Sequence, residues 1–161
     1  MGNRQTVIKE LLSSMGERKK PTRKVFLING APGSGKTTYV QSRRQPGDLV
    51  LDLDYICSAL NASDDLYGDH RLLLDTALSV RDLLLDEIKN RRGKWESAYV
   101  ISSNPKRGEV LKQAEQMHAE LIIMQTNLED CLDNLRGDVR RSNSVEKYEQ
   151  LAKKWYAAQH K

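Results

Sequence analysis

Cysteine is scarce in this chain. Its 161 residues hold two, Cys57 and Cys131, far apart and in no CxxC arrangement. That excludes a disulfide framework and a zinc ribbon, and it reads as two small buried hydrophobes in a reducing compartment. Histidine is nearly as sparse. His70, His118 and His160 have no partners at metal-ligand spacing, so they read as surface or capping residues. Long apolar runs are missing too. None approaches the ~18–20 residues that cross a bilayer, and the N-terminus lacks the apolar core of a signal peptide. No membrane contact is expected, and a cytoplasmic location follows by default. There is no internal repeat and no low-complexity segment.

What is present fits one domain with a short appendage. The length suffices to bury a core without disulfides or metals. The formal charge of +4 resembles a weak nucleic-acid signal, but its distribution changes that reading. Residues 1–24 carry seven Lys/Arg against Glu10 and Glu17, which leaves about −1 on the remaining 137 residues. The positive charge is therefore a property of the tail and linker. A second basic cluster runs from Arg136 to Lys161, and the middle, from Asp52 to Ile88, is acidic.

Residues 4–15 place Val7, Ile8, Leu11, Leu12 and Met15 on one helical face. Pro21 stops that helix within a charged linker. The reading is an N-terminal helix and basic linker over residues 1–23, followed by one domain over 24–161. From Val25 strands and helices alternate. VFLIN (25–29) is a continuous apolar run, as a parallel strand buried on both faces requires. A helix is expected from Lys36 to about Arg44, a strand over 49–53, and a short helix from Asp54 to Asn61. A long helix follows over 70–90, with its seam at Leu73, Ala77, Val80, Leu84 and Ile88. Strands at 98–103 and 120–126 flank a helix that opens at Asn104-Pro105. Asn127 caps a helix through Leu135, a polar loop spans 136–144, and Ser144 starts the last helix. Strands separated by helices imply βαβ units. The fold class is thus α/β, three layers, with a short parallel sheet flanked by helices, plus the N-terminal helix.

The segment Gly30-Ala31-Pro32-Gly33-Ser34-Gly35-Lys36-Thr37 fits the pattern GxxxxGK[ST], with Thr38 after it. Such a loop wraps a polyphosphate with inward backbone N–H groups, and side chains would block the approach. The following helix turns its positive end to the phosphates. Lys36 would reach the β- and γ-phosphates, and Thr37 would offer a hydroxyl to Mg²⁺. A buried strand enters the loop and a helix leaves it, so the motif stands in the context its chemistry needs. The pattern implies an ATP–Mg²⁺ site of a three-layer P-loop NTPase. Asp52-Leu53-Asp54 is read as the end of the second strand, with both carboxylates on one face at the ligand-binding edge of the sheet. Asp52 is a candidate metal ligand. Asp54 is a candidate base for an acceptor hydroxyl, or else the cap of the helix after it.

GAPGSGKTT followed by this acidic strand end resembles the P-loop kinases, most of all the 5′-hydroxyl polynucleotide kinase domain of bacteriophage type, over roughly Lys24 to Ala158. VISSNPKRGE (100–109) and LRGDVRR (135–141) are similar to later segments of that family. The resemblance implies Asp54 as base, Arg136 beside the adenine, and Arg140 on a lid as a phosphate contact, with Arg141 its rival. It implies transfer of the γ-phosphate of ATP to a hydroxyl, with a nucleotide or nucleic-acid end as acceptor. Three readings stay open: that kinase, a small-metabolite or zeta-toxin-like sugar kinase of the same fold, and a non-kinase ATPase or assembly factor. The last usually shows a strand ending in Asp-Glu, and none follows the loop here. Trp155-Tyr156 read as packing anchors. The sequence leaves protein partners open.

Overall fold

The computed structural model describes residues 23–159. The expected helix at 4–15, most of the basic linker and His160 lie outside the described residues.

Four strands form one parallel sheet: β1 (Lys24–Asn29), β2 (Leu49–Leu51), β3 (Ser97–Ser102) and β4 (Glu120–Ile123), in the order β2-β3-β1-β4. Six helices connect or cover them: α1 (Lys36–Gln41), α2 (Leu53–Leu60), α3 (Leu74–Lys89), α4 (Arg107–Met117), α5 (Leu128–Gly137) and α6 (Val145–Gln159). Short 3-10 turns stand at Arg71–Leu73 and Val139–Arg141.

The apolar run of β1 explains its central position. Val25 and Leu27 point to one face, where they meet Leu51, Ile88, Val100, Val110 and Met117. Ile28 points to the other and packs with Val40 and Tyr99. Phe26 stacks on the Tyr99 ring at 5.1 Å on that second face. A strand sandwiched by helices on both sides has no polar alternation to keep. Leu27 and Ile28 are fully buried, so truncating either to Ala would cost about 2–5 kcal/mol. The long helix α3 buries Ala77 and Ile88 from the expected seam. A separate cluster of Leu66, Tyr67, Leu135, Tyr148 and Ala152 ties α5 and α6 to the loop before α3. Trp155 packs with Ala31 and Cys131 under the glycine-rich loop. The Tyr156 hydroxyl donates to the Thr126 carbonyl, so both aromatics act as packing anchors. Both cysteines are buried and free.

Element ends differ from the sequence expectation in ways that matter for the site. Strand β2 stops at Leu51, not at residue 53. The Asp52 carboxylate accepts the Asp54 N–H at 3.0 Å and caps α2, which starts at Leu53. Asp54 is therefore neither the strand end nor the cap; it sits in the first turn of α2. Helix α4 begins at Arg107, three residues after Asn104. Asn104 Oδ1 accepts the Lys106 N–H at 2.9 Å, and Pro105 keeps Asn104 out of helical geometry. The segment expected as polar loop is more ordered: α5 continues to Gly137, and the 3-10 turn follows at once. Among the described residues no helix is long and apolar enough to cross a membrane.

Candidate active site

Order 2-3-1-4 puts β1 between β3 and β4, so the connections leaving β1 and β3 diverge at their carboxyl ends. A crevice opens there by topology. The loop Gly30–Gly35 fills its floor. Two of its glycines are required by space. A Cβ on Gly33, whose φ is +78°, would stand 2.4 Å from the Cys131 carbonyl oxygen. One on Gly30 would meet Ser34 Oγ at 2.6 Å and Met124 Cβ at 2.8 Å. The loop is pinned from outside by Asn134 Nδ2, which donates to the Gly33 carbonyl at 2.9 Å, and by Thr126 Oγ1, which donates to the Ser34 carbonyl at 2.9 Å. Asn29 braces its root by donating to the Asn104 carbonyl at 3.1 Å and to Ser102 Oγ at 3.3 Å.

Lys36 leaves the loop as the first residue of α1 and is buried. Its Nζ donates to the Gly30 and Ala31 carbonyls, each at 2.8 Å. Burial pushes its pKa down from 10.5 to about 8, partly offset by Asp52. Ser34 is buried as well, and its hydroxyl has no hydrogen-bond partner. Across the crevice Asp52 is 8% exposed. Burial, then the neighbouring Asp54, push its pKa up from 3.8 to about 6. Burial raises Asp54 too, while Arg141, His70 and Lys147 oppose the rise. One cavity of about 820 Å³ takes in Gly33–Thr38, Asp52, Asp54, Arg140 and Arg141.

The three arginines take different places. Arg136 turns away from the cavity and pairs with Glu149 at 2.6 Å and Asp133 at 3.5 Å. Arg140 is half-exposed and forks onto the Asp138 carboxylate at 2.8 and 2.9 Å. Arg141 is the inward arginine. Its side chain is 12% exposed and lies over the rings of Tyr67 at 3.5 Å and Tyr148 at 4.2 Å. The two rings meet edge to face at 5.6 Å and 74°. A guanidinium between aromatic faces is a recurrent cation–π arrangement. Its Nη1 is buried without a partner. A buried donor left unpaired costs roughly 1–3 kcal/mol or more if charged, so this atom awaits an acceptor from the cavity.

Sequence reasoning missed Tyr67, Tyr148 and Asn134. The tyrosines come from a loop and from α6, and nothing in the pattern of either announces the site. Ser103 lines the cavity. Its neighbours Ser102 and Asn104 are spent on the loop hydrogen bonds above.

Unpartnered Ser34 Oγ and Arg141 Nη1, the buried Lys36 ammonium and a glycine loop free of side chains all suit an anionic group. Among the described residues no group of three or more His, Cys, Asp or Glu is arranged to hold a metal ion by itself. A metal would thus take Thr37 and Asp52 from the protein, with other oxygens coming from phosphate and water, as Mg²⁺ commonly does. The residues fit both groups.

No family model and no curated protein matches the chain. Solved structures do. Shikimate kinase from Acinetobacter baumannii, in complex with shikimate, superimposes with a TM-score of 0.53 at 17% identity, over 84% of this chain and 75% of that one. A chain of the Pnkp1/Rnl/Hen1 RNA repair complex matches with a TM-score of 0.57 at 13% identity. That likeness covers 88% of this chain but 48% of the other, so this chain spans about half its length. At these identities the likeness establishes the fold, which is P-loop kinase-like.

Proposed function

We propose that the chain is an ATP-dependent phosphotransferase that moves the γ-phosphate of ATP onto a hydroxyl. The supporting observation is the convergence in one cavity of the glycine loop, Lys36, the Asp52–Asp54 pair and Arg141, whose Nη1 has no partner. The acceptor oxygen bonds to the γ-phosphorus, the bridge to the β-phosphate breaks, ADP leaves, and the hydroxyl proton passes to Asp54. Buried Asp54 has a raised pKa, which makes it a better base than a solvated carboxylate. Lys36, already desolvated, needs little reorganisation to stabilise negative charge on the transferred group. Arg141 holds its fork ready between two rings, so its orientation costs no further ordering. Thr37 and Asp52 would hold Mg²⁺, which when bound neutralises charge between the β- and γ-phosphates.

The sequence resemblance supports a nucleotide or polynucleotide 5′ end as acceptor. A specific observation favours a smaller one: the acidic segment 63–69 flanks the site, and its Asp65 and Asp69 line the adjoining cavity. The test is acceptor-stimulated ADP formation in the presence of Mg²⁺. It should be strong with one acceptor class and fall by ~10²-fold or more in Asp54→Asn, the scale of general-base assistance. ADP formation that ignores every acceptor would favour a plain ATPase.

A further inference from the structure

Beside the main cavity lies a second, of about 510 Å³. Tyr67 and Arg140 wall both, so the two are neighbours across one partition. Three cations line the second cavity: Arg71, Arg140 and Lys147. Arg140 is neutralised by Asp138. Arg71 is held by Asp69 through its Nε and Nη2, which leaves Nη1 without a protein partner among the described residues. Lys147 forms no ion pair among the described residues; its ammonium sits 5.4 Å from the centre of the Tyr148 ring. It stands in the first turn of α6, where the positive end of the helix disfavours a cation. Lys147 favours the charged forms of both Asp54 and Asp69, and it lines the second cavity.

Two carboxylates limit what can bind. Asp69 orients Arg71, and Asp65 accepts the Tyr67 N–H at 3.3 Å. Both line the second cavity and give it an acidic rim. A long polyanion would meet this rim at several phosphates, whereas one compact anion can reach the cations between them.

We propose that the second cavity receives the phosphate group of a compact hydroxylated acceptor, with Lys147 as its main contact and Arg71 as the second. This inference rests on the kinase reading above. A nucleotide and a phosphorylated sugar share the chemistry, an accepting hydroxyl plus one phosphate, and paired probes separate them.

The experiment measures kcat/KM with γ-labelled ATP for a nucleoside against its 3′-monophosphate, for a hexose against its monophosphate, and for a 5′-hydroxyl oligonucleotide. The parent should prefer the phosphorylated member of one pair, and that pair identifies the source. Lys147→Ala should erase that preference by about 10- to 100-fold, the weight of one hydrogen bond to a charged group. Lys147→Arg should keep most of it. Lys147 is exposed, so its variants should fold, as circular dichroism would verify. A preference that survives Lys147→Ala would overturn the inference. So would equal transfer to both members of each pair, with the kinase reading intact, or a clear advantage of the oligonucleotide over the mononucleotide. Transfer to none of the probes would overturn the inference, and the kinase reading would fall with it only if the label reached no other hydroxyl acceptor either.

Discussion

Asp52→Asn should stabilise the nucleotide-free protein while harming its site. The carboxylate is 8% exposed, and its pKa lies at about 6 instead of 3.8. A raised acid pKa means that the native state binds the proton more tightly than the unfolded chain does. Stability is thus fully present below about pH 4 and is lost as pH rises through about 6. The shift is about two units at 1.36 kcal/mol each, so the ionised carboxylate costs up to about 3 kcal/mol at neutral pH. Lost attraction between Asp52 and Lys36 takes back part of the gain. Asn preserves the cap, because its side-chain oxygen can still accept the Asp54 N–H. The difference between variant and parent should be near zero at pH 4 and reach its plateau above pH 6. For a domain of this size the plateau corresponds to roughly 6–12 °C in Tm. Thermal melts followed by circular dichroism across pH 4–8 give the curve. MgATP should raise the parent Tm and do so much less for Asp52→Asn. Parallel pH profiles for the two proteins would refute the burial argument.

Further outcomes follow from the same geometry. Lys36→Ala should weaken MgATP binding by about 10²-fold in calorimetry, since the loss of charge-assisted bonds to phosphate is not replaced. Arg141→Ala should cut turnover by ~10²-fold or more, whereas Arg140→Ala, which removes an exposed arginine already spent on Asp138, should cost less than about tenfold. Equal effects would return Arg140 to the phosphate. Gly33→Ala should abolish nucleotide binding and lower stability, because the added Cβ would sit 2.4 Å from a backbone oxygen; a variant with normal melting and normal ATP affinity would contradict that clash.

Much of this architecture was legible in residue patterns, and the limits have physical causes. The run VFLIN announced a strand covered on both faces, and Asn127 announced the start of α5. The glycine loop was legible because its spacing encodes backbone geometry directly. Asp52 and Asp54 were recognisable as a pair, but not their places: an Asp that ends a strand and an Asp that caps the next helix share the same extended backbone, and only the hydrogen bond to the Asp54 N–H separates them. The choice among Arg136, Arg140 and Arg141 depended on which of them met Glu149, Tyr67 and Tyr148, all on other elements. Glu149 and Asp133 hold the first, Asp138 forks with the second, and the third shares Asp138 at 3.4 Å and is received by Tyr67 and Tyr148. Spacing along a helix cannot convey which of three arginines finds two rings.

The central claim is phosphoryl transfer to a hydroxyl, and the position of the label measures it most directly. The protein is incubated with γ-labelled ATP, Mg²⁺ and a panel of 5′-hydroxyl DNA and RNA, mononucleotides, hydroxy acids and sugars with and without phosphate. The account predicts that label appears in an acid-stable phosphomonoester of one acceptor class, and that it vanishes with Lys36→Ala and Asp54→Asn. Label found solely as free inorganic phosphate, whatever acceptor is present, would contradict it.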